Sequence, residues 1–151
     1  MDSRSAPTDS ELLLATLADF RYELRRFLQF SESAALEAGL HPQQHQLLLQ
    51  VAGAPESIAV TIAYAAERLG LRHNSTVELV DRSEREGLLA RFADADDKRR
   101  AILRITRKGR HLLAKLSGDH ARELNEMGPR LIEALDRVRH HSHVALTAEA
   151  R

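Results

Sequence analysis

The feature that most narrows the fold is a change of period after Gly87. Before that glycine, apolar residues recur at helical spacing. Beyond it, "LLARF" and "AILRIT" alternate with a period of about two, the spacing of strands. Between these runs lies "DADDKRR", residues 94–100, three acids and then three bases. Two short alternating runs around a polar tip make a β-hairpin. Everything else in the chain reads as helix, so the fold class is mainly α with one two-stranded hairpin.

The helical boundaries are marked by local signals. "TDSE" places Thr8 as an N-cap with Glu11 three residues on, a capping box. A long first helix follows to about Ser33, with Leu13, Leu17, Phe20, Leu24, Phe27 and Leu28 at mostly helical steps. Pro42 opens a second helix, as proline does in a first turn. Val60 falls in a short extended link. Thr61 caps a third helix that ends at Gly70, and Leu71 to His73 form a tight turn. The fourth helix, "NSTVELVDRSERE", is predicted to bury Val77 and Val80 with Leu79 flanking, and to stop at Gly87. Two short helices joined by a glycine-containing turn fit a helix-turn-helix. After the hairpin, Thr106 caps a fifth helix running to about Asn125. "GPRLIEALDRVRH" reads as a sixth, begun by Pro129, with Leu131, Ile132, Leu135 and Val138 on one side. Residues 1–7 are expected to be a disordered N-terminus, 8–140 one folded unit, and 141–151 a flexible tail.

Composition sets limits on function. Formal net charge is zero, which alone does not suggest a nucleic-acid binder. Its distribution says more: residues 72–110 hold 11 Lys/Arg against 7 Asp/Glu, and the remainder 11 against 15, so +4 faces −4. There is no cysteine, hence no disulfide, thiolate or Cys-based zinc site. "MDSRSAPTDS" lacks the apolar core of a signal peptide, and no apolar run approaches spanning length, so a cytoplasmic protein without membrane contact is expected. No Ser–His–Asp or Cys–His constellation has support, so no catalytic residue is assigned and an enzyme is not expected.

The segments "TIAYAAERLGLRHNSTVELVDRSEREGLLAR" (61–91) and "DDKRRAILRITRKGR" (96–110), preceded by "LHPQQHQLLL" (40–49), resemble the MarR family of bacterial transcriptional regulators. The first is similar to the family's helix, turn and recognition helix with its "VDR…GLL" run. The second is similar to its wing, an Asp-x-Arg followed by alternating apolar residues, Thr and Gly. Three departures stand out: His41 where the family often has Thr, an "LRHN" turn one residue longer than the commonest form, and an acid at Glu78. The resemblance implies a winged helix-turn-helix lobe over about 40–110. It implies long N- and C-terminal dimerisation helices, about 8–36 and 107–140, around that lobe. The excess of apolar residues on those helices points the same way. The implied function is a sequence-specific DNA-binding regulator: a homodimeric repressor on a pseudo-palindromic operator, released by an unknown small molecule.

A winged helix needs short polar or planar groups facing base edges and cations facing phosphates or the minor groove. The candidates on the recognition helix are Arg72, His73, Asn74, Ser75, Thr76, Glu78 and Arg82, and on the wing Lys98, Arg99 and Arg100. Asn74 can pair with adenine, Arg72 with guanine, and Ser75 and Thr76 with phosphate at the helix N-terminus. Asp97, in register with the family's Asp, can accept from backbone amides or a guanidinium and brace the tip. A merely solvated turn remains the alternative. A metal site at Asp94, Asp96 and Asp97 lacks the loop spacing that calcium requires. Asp81 can brace the wing or form an ordinary exposed ion pair.

Effectors in the family tend to bind between dimer helices and the DNA-binding lobe, which makes Tyr22, Arg26, His41 and His45 candidate ligand contacts. His41 and His45 also have the i, i+4 spacing of two metal ligands, with His111, His140, His141 and His143 elsewhere. A cap, exposed surface and tail account for them better, and no metal or cofactor is expected. A zinc-responsive regulator is the rival within the class. A winged-helix interaction module that no longer binds DNA is the rival outside it.

Overall fold

The computed structural model describes the backbone of residues 8–149 and the side chains of residues 8–141. The disorder expected for residues 1–7 falls outside the described residues, as does the end of the expected tail at 150–151. In chain order the elements are α1 (Asp9–Glu37), α2 (Pro42–Ala52), α3 (Ile62–Leu69), α4 (His73–Arg85), β1 (Leu89–Ala93), β2 (Ala101–Ile105) and α5 (Arg107–Glu149). They divide into two compact units, Ser31–Asp119 and a second built from the residues up to Phe30 and from His120 onward.

In the Ser31–Asp119 unit, the starts and stops follow the sequence signals. Pro42 sits in the first turn of α2, and His41 caps it: the ring Nδ1 accepts from the Gln43 amide at 3.2 Å, and Gln44 Oε1 accepts from the His41 amide at 3.1 Å. The Thr61 hydroxyl accepts from the Tyr64 amide, and Gly70 ends α3 in the left-handed region at φ 64°. The hairpin is antiparallel with Arg91 opposite Leu103 and Ala93 opposite Ala101. Val60, in its extended link, accepts from the Leu103 amide at 2.8 Å on the free edge of β2. The core gathers Leu40, Leu47, Leu48, Leu79, Val80, Leu88, Leu89, Leu103, Leu113 and Leu116, all nearly inaccessible. At roughly 1.5–3 kcal/mol for each such side chain, this burial supplies the main driving force of the unit. On α4 the inward stripe is Thr76, Leu79, Val80 and Ser83. Val77, expected inside, is half-buried, and Leu79 takes the central place.

Thr106 locks the base of the hairpin onto α5. Its hydroxyl donates to the Gly87 carbonyl at 2.6 Å and accepts from the Gly109 amide at 3.1 Å, while its own amide reaches Leu88 O.

In the other unit, three expectations fail. The separate fifth and sixth helices are one, with Pro129 inside α5. An internal proline forfeits one backbone bond and costs on the order of 3 kcal/mol, but Met127 and Ala134 on either side are both 1% exposed, and their burial holds the helix together. The helix also continues to Glu149, through most of the stretch expected to be tail. Nor do Leu131, Ile132, Leu135 and Val138 share one face. Met127, Leu131, Ala134 and Val138 turn inward at steps of four, three and four, whereas Ile132 and Leu135 are 62% and 43% exposed. On α1, Leu13, Thr16, Phe20, Glu23, Phe27 and Phe30 make the inward stripe, and Phe27 and Phe30 meet His120 edge-on at 5.9 and 5.5 Å. Leu14, Leu17, Leu24 and Leu28 form a second stripe beside it, exposed. Among the described residues no helix is long and apolar enough to cross a membrane.

One contact allows a sharp test. A Cβ on Gly109 would lie 2.1 Å from the Leu88 carbonyl oxygen, a backbone atom that cannot turn aside. Gly109→Ala is therefore expected to cost on the order of 1–3 kcal/mol by overpacking, read as a lower midpoint in urea unfolding. An unchanged midpoint would show that α5 and the hairpin base separate freely.

Candidate nucleic-acid interface

Two elements of the Ser31–Asp119 unit carry the exposed polar groups singled out in the sequence. The first is the start of α4. Arg72 is its N-cap and contributes no side-chain cap. The first-turn amides are therefore not claimed by a capping side chain, and the helix dipole adds partial positive charge there. Arg72, His73, Asn74, Ser75 and Glu78 are exposed and Arg82 is half-buried. Thr76 must be withdrawn: it is fully buried, and its hydroxyl donates to the Arg72 carbonyl at 3.0 Å. A β-branched residue on the inward stripe packs under the helix and cannot reach a groove.

The second element is the hairpin, and Arg91 on β1 fixes it to α4. Its guanidinium reaches Asp81 at 2.5 Å and Glu84 at 2.6 Å, and its amide donates to Glu84 at 3.1 Å. Partial burial works against the charge on Arg91, but the two carboxylates outweigh it and hold the group more firmly protonated than usual. Asp81 thus braces the wing. Arg91 was overlooked in the sequence because a cation on an alternating strand looks like any solvent-facing residue.

The hairpin tip is ordered by its acids. Asp94 Oδ1 accepts from the Asp96 amide at 3.0 Å and Oδ2 pairs with Arg100 at 2.6 Å; the side chain is only 8% exposed. Asp97 accepts from the Arg99 amide at 3.0 Å and holds the Arg99 guanidinium through both carboxylate oxygens, at 3.1 and 3.2 Å. The Asp96 amide first, and then Arg100, keep the Asp94 carboxyl below its usual range despite burial. The Arg99 side chain, then its amide, do the same for Asp97. The two acids are therefore structural brackets, each binding an amide two residues on. Of the three bases, Arg100 is drawn into the bracket, Arg99 is 90% exposed on its Asp97 tether, and Lys98 is exposed with no ion-pair partner among the described residues. Asp94 is the stronger brace, and the Asp-x-x spacing at a hairpin tip was the available signal for it.

The candidate ligand and metal residues are divided between the two units. Tyr22 and Arg26 lie on α1 in one unit, where the Arg26 guanidinium sits 6.0 Å from the Tyr22 ring and 3.8 Å from Glu23. In the other, His41 is occupied as a cap and His45 is 3% exposed in the interior. Among the described residues no three His, Cys, Asp or Glu side chains gather as a metal would need.

Comparison with known proteins was made on this background. The model described as MarR family matches residues 38–100, which span α2, α3, α4, β1 and the hairpin tip. A putative transcriptional regulatory protein for the hcr operon of Thauera aromatica is 27% identical over 140 residues, covering 87% of this chain and 82% of that one. Among solved structures, the transcriptional repressor CouR bound to a 23-mer DNA duplex superposes with a TM-score of 0.59 at 26% identity, over 87% of this chain and 89% of that one. AbsC, a MarR family transcriptional regulator of Streptomyces coelicolor, gives a TM-score of 0.69 over 97% and 99% of the two chains; at 15% identity that likeness concerns the fold alone.

The bracketed tip has a pH signature. Both aspartates are depressed in the folded state, so the order they confer is fully present above the ordinary aspartate pKa of about 3.9 and is lost as pH falls through their lower folded values. In an NMR titration the Asp96 and Arg99 amide signals are expected to hold steady down to about pH 4 and move only below it. In Asp94→Ala the Asp96 amide should lose its shift at neutral pH. Movement of both signals between pH 5 and 4 in the unaltered protein would contradict the brackets.

Proposed function

We propose that the chain is a DNA-binding transcriptional regulator of the MarR family that grips a pseudo-palindromic operator as a homodimer, a reading supported by the family match over residues 38–100 and by the likeness to CouR bound to DNA. The observation that carries this reading is the pairing of an uncapped, polar helix start with a braced wing. Asn74 and Arg72 stand where a recognition helix meets base edges, and Arg99 stands where a wing meets phosphate or the minor groove. Ser75 and the open first-turn amides of α4 suit a phosphate. Glu78 accepts from cytosine in this reading and disfavours close phosphate on its side of the helix. The regulator acts in the cytoplasm as a repressor, without catalysis, and an unknown small molecule releases it.

Dimerisation draws its support from the exposed stripe of α1, Leu14, Leu17, Leu24 and Leu28, and from Leu124, Ile132 and Leu135 on α5. Each repeats at steps that keep it on one helix face, and soluble proteins cover such faces. A closed two-fold dimer then offers two recognition helices, roughly one DNA turn apart. Sedimentation equilibrium at micromolar concentration is expected to give the dimer mass, and Leu24→Glu together with Ile132→Glu to give a folded monomer. A wild-type monomer at that concentration would overturn the arrangement.

The two DNA-facing elements separate in their salt dependence. Arg99→Ala should weaken binding to operator and unrelated duplex alike, and lower the slope of log affinity against log salt by about one. Asn74→Ala should cost roughly 1–3 kcal/mol on the operator and little on random DNA, because a base contact carries discrimination. Asp97→Ala should weaken binding despite the added positive charge, since it frees the tip. Titrations at several salt concentrations decide the matter: if Asp97→Ala binds more tightly throughout, the acids are not brackets for a DNA-binding wing.

A further inference from the structure

The inward face of α4 fixes how deep the helix sits, but not its angle. Leu79 and Val80, 1% and 0% exposed, anchor its middle in the core. Thr76 and Ser83 are buried on the same face, yet their hydroxyls are spent on the helix's own backbone. They donate to the Arg72 and Leu79 carbonyls at 3.0 and 2.8 Å. Apolar contact is non-directional, so this face alone lets the helix rock about its middle. Arg91 ties α4 to the wing, not to another helix.

Among the described residues, the hydrogen bonds that tie α4 and its C-cap to other helices both end on Glu86, that C-cap. Gln44 of α2 donates from Nε2 to the Glu86 carboxylate at 2.9 Å, and Lys108 of α5 donates to the Glu86 carbonyl at 2.8 Å. The two differ in stiffness. Lys108 is exposed and reaches out on a flexible four-carbon stem. Gln44 is 2% exposed, and its Oε1 is already closed on the His41 amide at 3.1 Å. The cap of α2 therefore sets the plane of the Gln44 amide, and that plane sets where Glu86 sits.

The lever is even. At a rise of 1.5 Å per residue, Glu86 lies about 9 Å from Val80 along the helix axis, and Asn74 about 9 Å on the other side. A sideways displacement at Glu86 returns at Asn74 in equal size and opposite direction. Hydrogen bonds to base edges weaken steeply as their angle departs from linear, so such a shift costs sequence discrimination. Contacts to phosphate carry no sequence information, and long cationic side chains follow the shift.

We propose that Gln44 is a positioning residue for operator recognition: through Glu86 it sets the angle at which α4 meets the bases. This rests on the reading of α4 as the recognition helix given above. Gln44 and Glu86 touch no DNA in it and act through Arg72 and Asn74.

The test exchanges the pair. Gln44→Glu keeps an acceptor for the His41 amide, removes the donor and sets two carboxylates against each other. Gln44→Glu with Glu86→Gln restores one donor and one acceptor in reversed order, at the original net charge. The probes are a duplex selected from a random pool by the unaltered protein and a duplex of scrambled sequence. Both are titrated at one salt concentration against protein whose binding-competent fraction has been counted. Gln44→Glu is expected to lower the ratio of the two affinities roughly tenfold, the loss of one base contact, and the double variant to restore it. A merely structural role would lower the melting temperature and the competent fraction and leave the ratio intact. If Gln44→Glu does not fold, Glu86→Ala, at an exposed position, removes the same bond and is expected to lower the ratio likewise. In the protein without DNA, the Asn74 and Ser75 amide signals should move in the single variant and return in the double one. A ratio that holds in the single variants, a loss that the exchange does not reverse, or amide signals that stay in place would each overturn the proposal. If the pool yields no enriched sequence, the regulator reading fails, and the amide signals still decide whether Gln44 sets the angle of α4.

Discussion

The ion-pair cluster at Arg91 is the contact on which the placement of the wing against α4 depends. A two-stranded hairpin is too small to hold its own position, because one sheet face is all it has to bury. Leu89 and Leu103 supply that burial, but apolar contacts are non-directional and leave the hairpin free to rock. Arg91 removes the freedom. Its planar guanidinium reaches Asp81 and Glu84 on successive turns of α4, and its backbone amide adds a second bond to Glu84. The arrangement orients the wing against the recognition helix rather than adding greatly to stability, as expected for a partly exposed ion pair.

Around that cluster, the same chemistry is repeated at different levels of burial. Gln44, almost fully buried, donates to Glu86 at 2.9 Å while closing the cap of α2, and Lys108 donates to the Glu86 carbonyl at 2.8 Å. Gln44 thereby enters the core with its amide matched, which is the condition for burying one at little cost. The result is a lobe in which the end of α4, the start of α2 and the start of α5 are joined by polar contacts, and their inward faces by leucine.

Much of this was legible in the sequence because short-range signals coincide with tertiary need. Thr8, Thr61, Thr106, Pro42, Gly70 and Gly87 mark boundaries by chemistry that acts within a turn, and the hairpin follows from its period. What could not be read depended on partners distant in the chain. Pro129 carries the local signal of a helix start, and only the burial of Met127 and Ala134 overrules it. Ile132 beside Leu131 looks like one apolar face until the angle between neighbours on a helix separates them. Thr76 looks like a contact residue by its position in the motif, and its neighbour Ser75, one step round the helix, is the one exposed. Asp81, Glu84 and Arg91 are three ordinary charges until the fold brings them together.

The bidentate hold of Asp97 on Arg99 also bears on how such a protein would travel. An Arg99 already neutralised by its own chain adds little to the field beyond a Debye length of about 8 Å, which leaves Lys98 as the tip's unpaired cation among the described residues. The tip's own share of the long-range attraction to a polyanion is then small, and its loose encounters are short-lived. When the tip enters a groove, one anion is exchanged for another instead of a bare charge being quenched. Residence time on DNA would therefore depend on fit at short range, and a search among many wrong sites would proceed by quick release rather than by prolonged sliding.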